Sequence, residues 1–255
     1  MGESNQEKLL DEVRNRVSDI LAAVQLLTPL VQEKGGQEDR KYLAAMNKSL
    51  YRLMRAMRHI EAYDEESIFQ PQPLDLAGLC RDVGRQMEPM AERLGIEFDW
   101  RLEDSSVIGM ADDHLLELAL LNMLTNALEA AGKGGRVTLH GEVKDGRWRV
   151  SVGDDGPGFT PVGEENPLLK QPGGLGLGLV AARQAAFRHG GVLMLENSRE
   201  GGLRAVLSLP IQKPDKADLL LTQQPKADLW GGFSPVLVEL SPILPLESYF
   251  PEDVD

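Results

Sequence analysis

The N-terminal part of the chain carries two apolar series with the same alternating spacing of three and four residues. The first series consists of Leu10, Val13, Val17, Ile20, Val24, Leu27 and Val31. The second consists of Leu43, Met46, Leu50, Leu53, Met57 and Ile60. Such spacing keeps one apolar seam on one side of a helix, and the glycine pair Gly35–Gly36 between the series favours a tight turn. The pattern predicts an antiparallel helical hairpin within residues 1–69.

The two seams need a partner, because two helices alone cannot bury both of them. Pairing with a second copy of the chain would bury them in a four-helix bundle, so we expect a homodimer through this hairpin. The alternative is that the hairpin docks on the rest of the same chain.

Composition excludes several classes of protein. The 255 residues include 40 acidic and 27 basic side chains, a formal charge of -13, which argues against binding to nucleic acid or to anionic membrane surfaces. The N-terminus lacks a secretion signal and no apolar run is long enough to span a bilayer, so we expect a cytoplasmic protein. The single cysteine, Cys80, excludes an internal disulfide and is expected to be a packed thiol.

A second domain is predicted over residues 70–210. A proline-containing linker, Gln70–Leu76, precedes alternating helix and strand patterns, including a hairpin whose turn is marked by Asp145-Gly146. Three helices on one mixed sheet would make an α/β sandwich, so the whole chain is predicted to be α+β. Residues 211–255 form a proline-containing tail, which is either disordered or an extended segment that docks on a surface.

Three motifs follow one another in the second domain: "LLNMLTNALEAAG" on a helix, "DDGPGF" at a strand end, and "GGLGLGLV" opening a helix. Together they resemble the nucleotide-binding fold that gyrase-type ATPases share with bacterial sensor histidine kinases, over Leu76–Pro210. The helical hairpin is similar to the dimerising helices that precede this fold in histidine kinases. The resemblance implies that the chain binds ATP and Mg²⁺.

Roles for single residues follow from the resemblance. Asn122 and Asn126 lie four apart on one helical face, amide oxygens suit Mg²⁺ among phosphates, and Asn126 matches the family's metal-binding asparagine. Asp154 matches the aspartate that accepts a hydrogen bond from the adenine amine; Asp155 receives no role. The glycine-rich segments are expected to approach the ring and the triphosphate closely. Their residues are Gly156, Gly158, Gly174, Leu175, Gly176, Leu177 and Gly178.

Two positions depart from the patterns of the family. Gyrase-type ATPases have a glutamate as general base where this chain has Asn122, so bound ATP should be hydrolysed slowly, which favours the histidine-kinase branch. Alignment with the kinase pattern places Asp11 where the phosphoacceptor histidine is expected. A carboxylate is a weak nucleophile without activation, so autophosphorylation there is not expected. Glu12 and Asn15 nevertheless fit the acid-x-x-Thr/Asn pattern with which many such kinases dephosphorylate a receiver protein.

None of the four histidines replaces the missing phosphoacceptor, and each is expected to be a surface or core histidine. They are His59, His114, His140 and His189. The leading hypothesis is a histidine-kinase-like protein of a two-component or phosphorelay system that acts on a response regulator as a phosphatase or nucleotide-gated adaptor. One alternative is a kinase whose acceptor lies on another protein, and another is a non-catalytic ATP-binding interaction module. A standard autokinase stays open if the alignment at Asp11 is wrong.

Overall fold

The structure is a computed structural model that describes residues 5–63, 69–158, 177–198, 201–215 and 233–250. The chain divides into two compact units, one made of residues 1–58 and 227–255 and the other of residues 59–226. The helices and strands are α1 (Asn5–Lys34), α2 (Gln37–Tyr63), β1 (Gln72–Asp75), α3 (Leu76–Leu94), β2 (Glu97–Leu102), β3 (Ile108–Ala111), α4 (Asp113–Ala131), β4 (Arg136–Lys144), β5 (Arg147–Asp154), α5 (Leu177–Arg188), β6 (Val192–Asn197), β7 (Leu203–Pro210), α6 (Pro235–Glu239) and a 3-10 helix (Leu246–Tyr249).

The turn of the helical hairpin lies where the glycine pair predicts it. Gly35 N–H donates to the Val31 carbonyl at 2.9 Å, which closes the end of α1. Gly36 N–H donates to Oδ2 of Asp39 at 2.8 Å, so a side chain of the first turn of α2 satisfies a free backbone donor. The predicted helical hairpin is therefore confirmed.

The apolar seams of α1 and α2 are only half buried within one chain. Val17, Val24, Leu43, Leu50 and Met57 are buried. The positions between them stay exposed, by between 38% and 47% of their surface: Ile20, Leu27, Met46, Leu53 and Ile60. Each seam therefore keeps an apolar stripe that no described residue of the same chain covers.

The C-terminal residues 233–250, called the strap below, pack on α2 within the first unit. Their apolar side chains Val236, Val238, Leu240 and Leu244 are buried. Tyr51 of α2 makes edge-on ring contacts with Phe233 and Tyr249, at centroid distances of 5.1 and 5.2 Å. This part of the tail docks on a surface, as one of the two expectations had it. It does so as two short helices, not as an extended segment.

The second unit contains a five-stranded mixed sheet in the order β2-β4-β5-β7-β6. Strands β2 and β4 are parallel, and the other neighbours are antiparallel. Helices α3, α4 and α5 contact the sheet, and its core is lined by alternate side chains of the strands, such as Val137, Leu139, Val150 and Val152. The predicted α/β sandwich, and with it the α+β class, is confirmed.

One strand lies inside the segment that the sequence indicates as a linker. Residues 72–75 form β1, which pairs antiparallel with β3, with Pro73 opposite Met110. A two-stranded sheet tolerates proline because the ring nitrogen, which has no hydrogen to donate, can face away from the partner strand. The linker prediction was therefore too long.

Cys80 lies on α3 with 1% of its surface exposed. Burial raises the pKa of its thiol to about 12, so the group stays protonated and packs as a small apolar side chain. This agrees with the expected packed thiol.

Candidate nucleotide site

Asp154, the last residue of β5, is buried at the end of a core strand. Its Oδ1 accepts hydrogen bonds from Gly156 N–H at 2.9 Å and from Leu203 N–H at 3.2 Å. Both bonds use Oδ1, so among the described residues Oδ2 stays available to a ligand donor. Burial raises the pKa of this carboxyl, and the two backbone donors partly oppose that shift. The result is a fixed, buried acceptor at the end of the sheet.

The turn between β6 and β7 supports this carboxylate, a role that motif reasoning missed. Gly202 has a φ of +83°, and a Cβ at this position would lie 1.8 Å from the carbonyl oxygen of Asp154. Only glycine allows the turn to come so close and to present Leu203 N–H to the carboxylate. The sequence signal is the pair Gly201-Gly202, which marks a hairpin turn but does not reveal its neighbour.

The two glycines after Asp154 lie against other backbone segments. A Cβ on Gly156 would lie 2.6 Å from the carbonyl oxygen of Ala130, near the end of α4. Gly158 has a φ of +70°, and its Cβ would lie 3.1 Å from the carbonyl oxygen of Gly202. The close approach at Gly156 brings the Asp154 turn against the helix that carries the paired asparagines. Any role of either glycine toward a purine ring stays a prediction.

On the face of helix α4 that bears Asn122 and Asn126, several buried polar atoms have no partner among the described residues. Asn122 is fully buried, and its Nδ2 donates to the Leu118 carbonyl at 2.8 Å. No described residue hydrogen-bonds to Asn122 Oδ1, Thr125 Oγ1 or Asn126 Nδ2, although all three atoms are buried. Because oxygen and nitrogen of an asparagine amide are assigned from their surroundings, either atom of Asn126 can face a ligand. Unpartnered buried polar atoms are costly, which favours a polar ligand or ion here.

Asp155 has a structural role that the motif did not reveal. Its Oδ1 accepts from Arg136 N–H at 2.8 Å, and its own N–H donates to the Arg136 carbonyl. These bonds fasten the start of β4 to the residue after Asp154. The neighbouring carboxylates therefore differ: Asp155 is exposed and structural, whereas Asp154 is buried.

The glycine-rich segment before α5 is only partly described. Gly174, Leu175 and Gly176 lie outside the described residues, and of Leu177 only the helical backbone is described. Gly178 is buried in the first turn of α5. The first N–H groups of a helix have no partner within the helix and carry partial positive charge, so this end suits phosphate.

The candidate phosphatase residues belong to the other compact unit. Glu12 and Asn15 are both exposed on α1, and Oε1 of Glu12 lies 2.8 Å from NH2 of Arg16. Asp11 lies in the same helix, and its side chain is outside what the structure describes. Spacing of three residues places Glu12 and Asn15 on one side of α1.

The histidines divide into two groups. His59 and His189 are buried, whereas His114 and His140 are partly exposed. His189 joins two helices, because its Nε2 accepts from Asp112 N–H at 2.9 Å and its Nδ1 lies 2.7 Å from the Ala185 carbonyl.

Part of the second unit matches a known protein family. Residues 111–213 match the family described as histidine kinase-, DNA gyrase B-, and HSP90-like ATPase. The sensor histidine kinase SpaK of Bacillus subtilis is 23% identical over 213 residues, which cover 80% of this chain and 46% of SpaK. The chain therefore spans about half the length of this curated relative.

Two solved structures have a similar fold. Full-length ShkA in complex with AMPPNP is 26% identical, with a TM-score of 0.65, over 81% of this chain and 45% of ShkA. The histidine kinase ThkA in complex with the response regulator protein TrrA is 23% identical, with a TM-score of 0.56, over 80% of this chain and 61% of that one.

Residues 111–213 therefore form an ATPase domain of the kind shared by histidine kinases, gyrase B and HSP90. Beyond this domain, about four fifths of the chain is similar to sensor histidine kinases. Within the described residues, no helix combines the length and the apolar composition that crossing a bilayer requires.

Proposed function

We propose that this protein binds Mg-ATP in its second unit and acts on a response regulator through its helical unit, in the cytoplasm, as a phosphatase or nucleotide-gated adaptor of a two-component or phosphorelay system. One observation carries the nucleotide part of the proposal. The Asp154 carboxylate is buried and fixed by two backbone donors to Oδ1, and among the described residues Oδ2 is left as an acceptor for an exocyclic amine. Adenine offers such an amine beside a flat apolar ring.

Helix α4 supplies further polar groups of the proposed nucleotide site. The buried atoms of Asn122, Thr125 and Asn126 have no described protein partner, which suits a magnesium ion among phosphate oxygens. Asn126, the more exposed of the two asparagines, would hold the ion, and Asn122 would support it. Bound Mg²⁺ would neutralise phosphate charge, and the N-terminus of α5 at Gly178 would face the phosphates.

The chemistry that we propose follows from the side chains of the proposed site. Asn122 cannot act as a general base, because an amide does not accept a proton at neutral pH. Bound ATP should therefore persist as a ligand instead of being hydrolysed. Since Asp11 replaces the expected phosphoacceptor in our alignment, the chain is proposed not to phosphorylate itself.

The helical unit is proposed to act as a homodimer that contacts the response regulator. The exposed apolar stripes, with Ile20 and Leu27 on α1 and Met46 and Leu53 on α2, are not covered by described residues of the same chain. This fits burial against a second copy. Glu12 and Asn15 lie exposed on α1, where Asn15 could orient a water molecule toward an acyl phosphate and Glu12 could hold that water in line.

The phosphatase part is tested with a receiver-domain protein from the same genome that has been phosphorylated with acetyl phosphate. The wild-type chain with Mg-ATP should speed loss of the acyl phosphate, and Asn15→Ala should reduce that rate at least about tenfold. Gln25→Ala, on an exposed position of the same helix, is the matched control and should keep the rate. Equal rates for Asn15→Ala and wild type would contradict the role of Asn15.

A second candidate is a kinase whose acceptor lies on another protein. Asn122, in the place of a hydrolytic carboxylate, favours it because the γ-phosphoryl group is preserved for transfer. Incubation with γ-labelled ATP separates the two. Label on an added receiver or histidine-bearing protein, with this chain unlabelled, would support the second candidate, whereas acid-labile label on this chain would overturn both.

A further inference from the structure

The strap covers one flank of α2 through a charged contact at its centre. Glu239, at the end of α6, has no exposed side-chain surface, and its Oε2 lies 3.1 Å from Nε of Arg55. Its Oε1 lies 3.5 Å from NH1 of Arg58, which is 6% exposed. A carboxylate buried this deeply requires its cations, because an uncompensated charge in the interior is strongly unfavourable. The contacts of Glu239 with Arg55 and Arg58 therefore fix the position of the strap on α2.

Backbone carbonyls of the strap also accept from a row of cations along α2. Lys48 Nζ donates to the Leu244 carbonyl at 2.5 Å, Arg52 Nε to the Ser241 carbonyl at 3.4 Å, and Arg58 NH1 to the Pro235 carbonyl at 3.5 Å. Asn47 Nδ2 donates to the Tyr249 carbonyl at 3.1 Å. The residue numbers of the donors increase along α2 while those of their acceptors decrease along the strap. The strap therefore runs antiparallel to the helix.

The strap is a short, self-capped element. Ser234 Oγ accepts from Leu237 N–H at 3.4 Å and so caps α6, which begins with Pro235. The Tyr249 hydroxyl donates to the Leu237 carbonyl at 2.9 Å, which ties the two ends of the strap together. Burial raises the pKa of this phenol far above its usual range, so it remains a donor. The strap thus carries its own internal bonds and meets α2 with a preformed surface.

The strap and the open apolar stripe occupy opposite sides of α2. Two residues along a helix rotate the side chain by about 200°, so Tyr51 under the strap and Leu53 on the stripe point away from each other. A second face of α2, with Leu43, Leu50 and Met57, is buried. The flank under the strap therefore lies apart from the stripe, so a second copy on the stripe would leave this flank outside the dimer contact.

We propose that the strap is a reversible ligand of this flank within the chain, and that it keeps the flank closed to a partner protein. The partner chemistry that the flank fits is that of the strap: a short proline-initiated apolar helix with one acid that reaches Arg55 and Arg58. The inference rests on the proposed function only where it expects a partner on the helical unit. Neither nucleotide nor response regulator enters its test.

The test uses the full chain and a fluorescein-labelled peptide of residues 233–250, FSPVLVELSPILPLESYF. In the wild type the flank is filled, so anisotropy should detect little binding. The Glu239→Gln chain has a weakened strap and should bind the peptide at least tenfold more tightly than the wild type does. Leu244→Ala, which weakens the strap at a buried apolar position, should open the flank by a second route if the first variant does not fold.

Matched controls use Glu247, the second acidic residue of the strap, and Arg55 of α2, which contacts Glu239. A peptide with Glu247→Gln, an exposed position, should bind as the unchanged peptide does, whereas a peptide with Glu239→Gln should bind at least tenfold more weakly. Adding Arg55→Met to the Glu239→Gln chain should remove most of the binding that this chain gained. Equal affinity of the wild-type and Glu239→Gln chains would overturn the proposal, as would absence of binding to both folded strap variants. Loss of ATP binding would affect the proposed function alone.

Discussion

The backbone N–H of Leu203 donates a 3.2 Å hydrogen bond to Oδ1 of Asp154, a residue 49 positions earlier in the chain. The bond ties the β6–β7 turn to the carboxylate that we assign to the adenine. A turn that carries no nucleotide motif is therefore part of the support of the candidate site.

Replacing Gly202 by alanine should disturb this support. A Cβ at this position would lie 1.8 Å from the Asp154 carbonyl oxygen, so the turn must move and Leu203 N–H with it. We expect affinity for a non-hydrolysable ATP analogue to fall about tenfold or more, as measured by calorimetry, because the loss of a hydrogen bond to a charged group has about that effect.

Gly201→Ala is the control for backbone strain in the same turn. Gly201 also has a positive φ, +102°, but a Cβ there would meet no atom of the described residues within 4 Å. Its affinity should stay close to that of the wild type. If both variants bind equally well, the turn does not support the site.

Asp154→Asn should separate stability from binding. Burial raises the pKa of this carboxyl in the folded state, so the native protein is destabilised as pH rises from 3.8, the ordinary value, through the raised value. The amide lacks this cost and can still accept from Gly156 and Leu203, so urea unfolding at pH 7 should show a variant at least as stable as the wild type.

The same Asp154→Asn variant should bind the ATP analogue at least about tenfold more weakly, because an amide nitrogen would face the donor of the adenine. Asp155→Asn changes the neighbouring exposed carboxylate and should keep most of the affinity. Full affinity in Asp154→Asn would remove the adenine role of this residue.

His189 should make stability depend on pH in weakly acidic solution. Burial lowers the pKa of this imidazole below its ordinary value of 6.5, mainly by desolvation; Arg188 adds to that shift, and Asp112 and the bond to Ala185 oppose it. The unfolded state therefore takes up the proton first, and stability present above pH 6.5 is lost as pH falls. The slope for one such group reaches up to about 1.4 kcal/mol per pH unit.

His189→Gln should flatten this dependence between pH 7 and 5, because glutamine does not titrate and can still accept from Asp112 N–H. Urea unfolding at several pH values measures the slope. His140→Gln, on partly exposed β4, should keep the wild-type slope. An unchanged slope in His189→Gln would assign the acid sensitivity to another group.

Leu53→Ser should weaken the proposed homodimer. Leu53 is 41% exposed on the open stripe of α2, where a second copy would bury it. Sedimentation equilibrium should show the dissociation constant of the dimer raised at least tenfold, because burying a leucine contributes about 1.5–3 kcal/mol.

Leu26→Ser is the control for that experiment. Leu26 is 77% exposed on α1 but follows a different face from Ile20 and Leu27. Its dimerisation should match that of the wild type. A dimer that is unaffected by Leu53→Ser would place the contact elsewhere.

Local patterns were enough to predict most elements of the second unit. The apolar spacing and turn residues indicate three helices and a mixed sheet, with a hairpin turn at Asp145-Gly146, and the structure has α3, α4 and α5 on the sheet and the β4–β5 hairpin at that turn. They do so because helix periodicity and the Asp-Gly turn are short-range signals. The strand β1 was missed because its pairing with β3 joins residues more than thirty positions apart, across a proline that disfavours strands.

The sequence by itself determined the helical seams, the α/β sandwich and the carboxylate at the end of β5, since each depends on side-chain period or on a motif within a few residues. Only the tertiary structure decided that Leu203 holds Asp154 and that Glu239 is buried against Arg55. Both contacts join residues far apart in the chain, and their geometry depends on how whole elements pack. No local pattern contains that information.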